Sequence, residues 1–143
     1  MKWRSQKGTA AVEFAIILPI LILLVFGIIE FGFLFYDKAV ITNASREGCR
    51  TGIVYRETPV PDSEIRTVVK NYAQNNLFTF GTGTVEDGNI AITNAENPPS
   101  SGAYFLTVTV DYQYDFLVLP AFVSGLLGNI RTQTTMKMES SMT

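Results

Sequence analysis

Gly8 and Glu13 are the residues near the start of the chain whose types and spacing could do chemistry. Gly8 closes a short basic stretch carrying Lys2, Arg4 and Lys7, and a long apolar run opens just beyond it. A cut after Gly8 would leave a new α-amine on Thr9 and make Glu13 the fifth residue of the shortened chain. The chemistry on offer is electrostatic rather than catalytic. An ionisable group beside hydrocarbon costs a few kcal/mol and usually has a named partner. The free amine of Thr9 on a neighbouring copy would supply the opposite charge, in a medium where Coulomb attraction is strong. The plainer placement puts Glu13 at headgroup depth, in water.

The run itself is long enough to cross a membrane. Sixteen residues from Phe14 to Ile29 carry no charge, and after Glu30 the sequence continues apolar to Tyr36. The 23 residues from Phe14 to Tyr36 make about 34 Å of helix, against a hydrocarbon core of about 30 Å. Three basic residues precede the run, whereas Asp37 and Lys38 cancel after it. The positive-inside rule then places the N-terminus in the cytoplasm and everything beyond Tyr36 outside. Three kinds of segment fit such a run. A cleaved secretory signal would be shorter and would end in a small-residue site, which "FLFYDKAV" does not provide. A plain signal anchor fits the length and orientation but gives Glu13 no task. A prepilin, cut on the cytoplasmic side after Gly8, explains the glycine and the acid together.

Composition removes several function classes. The chain has 143 residues, a net charge of −2 and no histidine, so the commonest general base and zinc ligand are missing. Without residues 1–8, eight basic residues face thirteen acidic ones. A nucleic-acid partner is therefore disfavoured. A lone cysteine, Cys49, precludes an intrachain disulfide, leaving a small buried apolar residue or an intermolecular bond outside the cytoplasm as its roles. Asp111 and Asp115 share a strand face but have no base, nucleophile or metal cluster beside them. No enzyme, cofactor or metal is expected.

The stretch "AVEFAIILP", then "FGIIEFG", then "TNASREGCR", in that order, closely resembles the N-terminal region of TadE-like proteins, the minor pilins or pseudopilins of the tight-adherence (Tad/Flp) pilus apparatus. The resemblance covers about residues 8 to 56. It implies cleavage between Gly8 and Thr9 by a prepilin peptidase, with Glu13 and Phe14 in the positions used for processing and assembly. It also implies a role in initiating or supporting pilus assembly, with other pilin subunits and Tad assembly proteins as partners. Major Flp pilins usually carry Glu-Tyr where this chain has Glu13 and Phe14, and they are far shorter. General type IV pilins begin with an aromatic residue or Met rather than a residue like Thr9. A minor subunit is therefore the better match.

Further along, the residues predict how this stem is built and what it carries. Pro19 removes a helical hydrogen bond and predicts a kink between Ala15 and Pro19. Glu30, near the outer interface, is expected to pair between subunits or to snorkel to water. Beyond the membrane the helix continues, because Ile41, Ala44, Ser45, Gly48, Cys49, Gly52 and Ile53 recur at three- and four-residue steps. The small stripe Ala44, Gly48 and Gly52 permits close backbone approach, either under the chain's own domain or against another subunit's helix.

"YRETPVPDSE", Tyr55 to Glu64, breaks the helix and offers Asp62 as an N-cap. Ile65, Val68, Val69, Tyr72, Ala73 and Leu77 give a second, amphipathic helix. Turns explain the glycine-rich stretch 81–89, which lacks the Lys-Ser/Thr ending of a phosphate loop. A short strand follows near Asn89 to Asn94, and "NPPSSG" is a loop. Tyr104, Leu106, Val108, Val110, Tyr112 and Tyr114 line one face of a strong strand. Ile130, Thr132, Thr134, Met136 and Met138 line one face of another, which pairs with it antiparallel. Between them, residues 116–129 carry no charge, and must fold onto the core, the membrane or a partner. The expected class is α+β: a membrane-spanning, pilin-like stem helix, then one helix and an antiparallel sheet of about three strands. The divisions are a leader, 1–8, a transmembrane and stem helix, 9–57, and an extracytoplasmic domain, 58–143. The protein is placed in the cytoplasmic membrane, in contact with lipid, and able to pass into a pilus. An unprocessed anchor carrying a binding or sensory domain is the alternative.

Overall fold

The computed structural model describes residues 6–54, 60–78, 83–96, 104–117 and 127–138. The first five leader residues, the break at 55–59, the start of the glycine-rich stretch at 81–82, the loop at 97–102 and the connection at 118–126 lie outside the described residues. One helix, α1, runs from Gln6 to Gly52, about 70 Å at 1.5 Å per residue. It continues through Pro19 and past the end of the apolar run, as the three- and four-residue spacing predicts. Beyond the span, hydroxyls bond back to the helix. Thr42 donates to the Lys38 carbonyl at 2.8 Å and Thr51 to the Glu47 carbonyl at 3.0 Å. The helix closes with Arg50 in its last turn, where a cation suits the negative end of the dipole.

A second helix, α2, spans Asp62–Asn76. Its N-cap is Pro61, so Asp62 is the first helical residue rather than the cap. Asp62 and Glu64 in the first turn still favour the positive end of the helix dipole. Ile65, Val69 and Ala73 are buried, with Val68, Tyr72 and Leu77 half-covered beside them. A 3-10 turn at Asp87–Asn89 leads into the sheet. Arg66 of α2 donates to the carbonyls of Asp87 and Ile90, and Lys70 meets the Asp87 carboxylate at 2.8 Å, so this turn is tied to α2.

Three strands, β1 (Ile90–Glu96), β2 (Tyr104–Gln113) and β3 (Asn129–Lys137), form an antiparallel sheet in the order β1-β2-β3. β2 lies at the centre, with Val108 opposite Ile92 on one side and Thr134 on the other. Leu106, Val108, Val110 and Tyr112 alternate inward, as do Ile130 and Thr132 on β3. The strand periodicity thus holds on both strands, except that Tyr104 at the start of β2 is exposed. The other face is polar. Thr107 meets Thr135 hydroxyl to hydroxyl at 2.9 Å, and Arg131 grips the Asp111 carboxylate with two bonds of 2.6 and 2.9 Å. The outer half of α1 lies with α2 on the inner face, and the core forms there around Ile41, Ala44, Ile65, Val69, Val108 and Tyr112. The architecture is therefore the expected α+β one: a long apolar helix, one further helix and a three-stranded antiparallel sheet.

Candidate functional site

The stem has two halves with opposite environments. From Val12 to Ile29 every large apolar side chain except Leu18 is 44–67% exposed. Among the described residues, no part of the domain covers these side chains, so burying them requires lipid or another helix. By length and composition the helix can cross a membrane. Gly8, Thr9, Glu13, Phe14 and Pro19 all lie on this uncovered half and are exposed. The structure therefore brings none of the expected processing residues into contact with the domain.

The other half is a single buried stripe. Ala44, Gly48 and Gly52 face the domain, and a methyl added at Gly48 would sit 2.5 Å from Val69 Cγ2. At Gly52 it would sit 2.7 Å from Ile65 Cδ1 and collide with Leu106. The glycines bring the backbone of α1 close onto α2 and β2 within this chain. Cys49 lies on the same face, fully buried, with its Sγ 3.1 Å from the Thr134 carbonyl. Burial shields the thiol from a partner chain's cysteine in this fold.

Followed toward the membrane, the stripe continues through Ile41 to Asp37 and Glu30. Residues 30 and 37 are seven apart, two helical turns, so both carboxylates point to the domain side. Glu30 is only 3% exposed, and one of its oxygens accepts the backbone N–H of Leu117. It neither snorkels to water nor stands on the open face of the stem, because the segment after β2 closes over it. Asp37 is fully buried and accepts the backbone N–H of Phe78 at 2.9 Å. Phe116 packs edge-on against Phe31 at 6.1 Å and against Tyr114 at 5.0 Å. Phe78 stacks flat on Phe33 at 4.5 Å. Two loops are thus fastened to the stem, each by one carboxylate and one aromatic pair.

Between these fastenings lies a buried polar knot. Among the described residues, Asp37 Oδ2 and the hydroxyls of Tyr112 and Tyr114 have no hydrogen-bond partner. Burial pushes the Tyr114 phenol up to about 12, with the carboxylates of Glu30 and Asp37 adding to it. Burial raises Tyr112 further, helped by Asp37. On the outer face, the guanidinium of Arg131 holds Asp111 below the usual carboxylate range. Asp37 was legible only as a charge opposite Lys38. Its seven-residue spacing from Glu30, in register with Ile41, Ala44 and Gly48, is the signal that marks it as buried.

Residues 8–50 match the family model of the TadE-like proteins. No curated protein and no solved structure matches the chain. The TadE-like segment takes in both halves of α1, from Gly8 through the Gly48 stripe, and stops short of α2 and the sheet. It supports a membrane-anchored, pilin-like role associated with the Tad pilus. The domain that packs on its outer half lies beyond the match.

Proposed function

We propose that this protein is a minor pilin, or pseudopilin, that supports assembly or function of a Tad-type pilus or secretion apparatus. The observation that carries the reading is the match over residues 8–50 to TadE-like proteins, a segment whose first half exposes its large apolar side chains. The stem stores the subunit in the cytoplasmic membrane, with the basic leader inside and the domain outside. A prepilin peptidase cuts between Gly8 and Thr9. The freed amine of one subunit pairs with Glu13 of another in a medium of low dielectric, which sets the register between adjacent stems. Phe14 and Pro19 belong to the same helix–helix contact surface. The work is structural: the protein positions other subunits and Tad assembly proteins, and carries no cofactor.

The rest of the chain supports this division of labour. Ala44, Gly48, Gly52 and Cys49 are consumed in holding the domain to its own stem, so the contacts to neighbouring subunits are assigned to the lower half. Intact-mass measurement of the protein from its native membrane tests the reading. Loss of residues 1–8, leaving Thr9 first, is the expected result. A chain that still begins at Met1 in cells with a working pilus apparatus would instead mean an unprocessed anchor for a binding or sensory domain.

A further inference from the structure

The outer end of the stem is wider than a single helix. Glu30 lies six residues before Tyr36, the end of the apolar run, so the Leu117 N–H that it accepts sits about 9 Å down the helix axis from that end. On that axis the Phe78 ring is level with Phe33. With Ile29, Gly32, Phe33 and Tyr36, Phe78 also walls an open apolar groove of about 350 Å³. Both loop residues point outward: Leu117 is 65% exposed and Phe78 46%. No charged residue occurs in 77–85 or in 116–129. Phe78 and Leu117 thus present exposed apolar side chains at the depth of the outer part of the span.

Irregular backbone is tolerated at hydrocarbon depth only where its polar groups have protein partners. The N–H groups of Leu117 and Phe78 meet that condition through Glu30 and Asp37. Both N–H groups are part-buried where the chain closes on the helix, so each needs an acceptor there. This also accounts for an acid inside the apolar run. Ile28, Ile29, Phe35 and Tyr36 of the stem are themselves exposed apolar side chains over the same length of helix.

We propose that Phe78 and Leu117 enter the leaflet on the domain side, so that the protein is held by its stem and by these two side chains. The occupant of the surface they form is lipid acyl chain. The domain then stands at a fixed height and angle on the membrane rather than swinging on its helix. The inference rests on the membrane-anchored reading alone, and needs neither cleavage nor Glu13.

Fluorescence in vesicles tests it. The full chain is made with Trp3→Phe, then with Leu117→Trp, Phe78→Trp or, as a solvent-facing control on β3, Gln133→Trp. Each is reconstituted into phosphatidylcholine with brominated acyl chains, and separately exposed to iodide. A melting midpoint equal to the parent's confirms folding, and two independent loop positions guard against failure of one variant. The expected result is that bromolipid removes half or more of the emission at 78 and 117. Iodide should quench them several-fold less than it quenches 133. Iodide quenching equal to that of the control, without bromolipid quenching, overturns the proposal by placing the loops in water. Shielding from both quenchers overturns it in favour of a second protein chain. Either failure leaves the cleavage experiment untouched.

Discussion

Glu30 and Asp37 stand two turns apart on one face of α1, and each receives a backbone N–H from a different loop, Leu117 and Phe78 respectively. The pair converts a membrane helix into a bracket. For Asp37 the consequence is direct. Asp37→Ala leaves a buried N–H without an acceptor and should destabilise the domain by about 1–3 kcal/mol. Asp37→Asn keeps an acceptor oxygen and gains a donor for the unpaired tyrosine hydroxyls nearby, so it should lose far less. Thermal or urea unfolding of the detergent-solubilised chain, followed by near-UV circular dichroism, separates the two. Equal losses in both variants would argue that the charge itself, not the acceptor, is needed.

Gly48→Ala sets helix propensity against packing. Alanine gains about 1 kcal/mol over glycine in a helix, but its methyl would sit 2.5 Å from Val69 Cγ2. Overpacking of this kind costs about 1–3 kcal/mol, so the domain should melt earlier. Gly32→Ala is the control, because nothing lies within 4 Å of a methyl there. Its melting point should be unchanged or higher. Were the stripe instead a contact between subunits, Gly48→Ala would leave the melting of the isolated chain alone and impair assembly only.

The two helices and the two stronger strands were readable because burial on one face writes a period of 3.6 or 2 into the sequence. Tyr112 and Val108 point inward for the same reason that Gln113 and Thr109 do not. Glu30 was the opposite case. A carboxylate in an apolar run signals only that a partner exists, and one partner is a backbone N–H 87 residues away. Backbone groups have no sequence signature, so no reading of residue types could name Leu117 or Phe78. The internal use of the glycine stripe was open for a similar reason: small residues announce a close approach, not the identity of what approaches.

Stability should fall at both ends of the pH scale through different residues. The folded pKa of Asp111 lies below its unfolded value because Arg131 binds the charged form. Its contribution is therefore complete above the unfolded pKa and disappears as pH drops through the folded one. Tyr114 is raised to about 12 by burial, so its contribution is complete below about pH 10 and is lost as pH climbs from there toward 12. Melting midpoints across pH should show Asp111→Asn flattening the acid limb only. Tyr114→Phe should reduce the slope of the alkaline limb only, Tyr112 keeping the rest of it, with little loss at neutral pH, since the hydroxyl is unpaired.

Cys49 should be inert while the domain is folded. Its thiol is fully buried against the Thr134 and Leu106 carbonyls, and thiol reactivity requires exposure of the thiolate. A water-soluble aromatic disulfide reagent should label it only after denaturant is added, and non-reducing gels of native membranes should show no Cys49-linked dimer. Labelling at the rate of a free thiol under native conditions would mean that the face of α1 carrying Gly48 and Gly52 opens away from the sheet.

Glu30 gives the sharpest contrast, because membrane hydropathy and hydrogen bonding predict opposite outcomes. Glu30→Leu completes an uninterrupted apolar run, which favours insertion. It also removes the acceptor of the Leu117 N–H, and an unpaired donor costs about 1–3 kcal/mol once buried. The variant should therefore insert normally yet lose domain stability, and its segment after β2 should become sensitive to added protease in right-side-out vesicles. Glu30→Gln retains an acceptor and should behave like the parent in both assays. If Glu30→Leu keeps the parent's melting point and protease resistance, the aromatic contacts of Phe116 with Phe31 and Tyr114 hold that segment without the carboxylate. The acid would then have to be explained by something outside this chain.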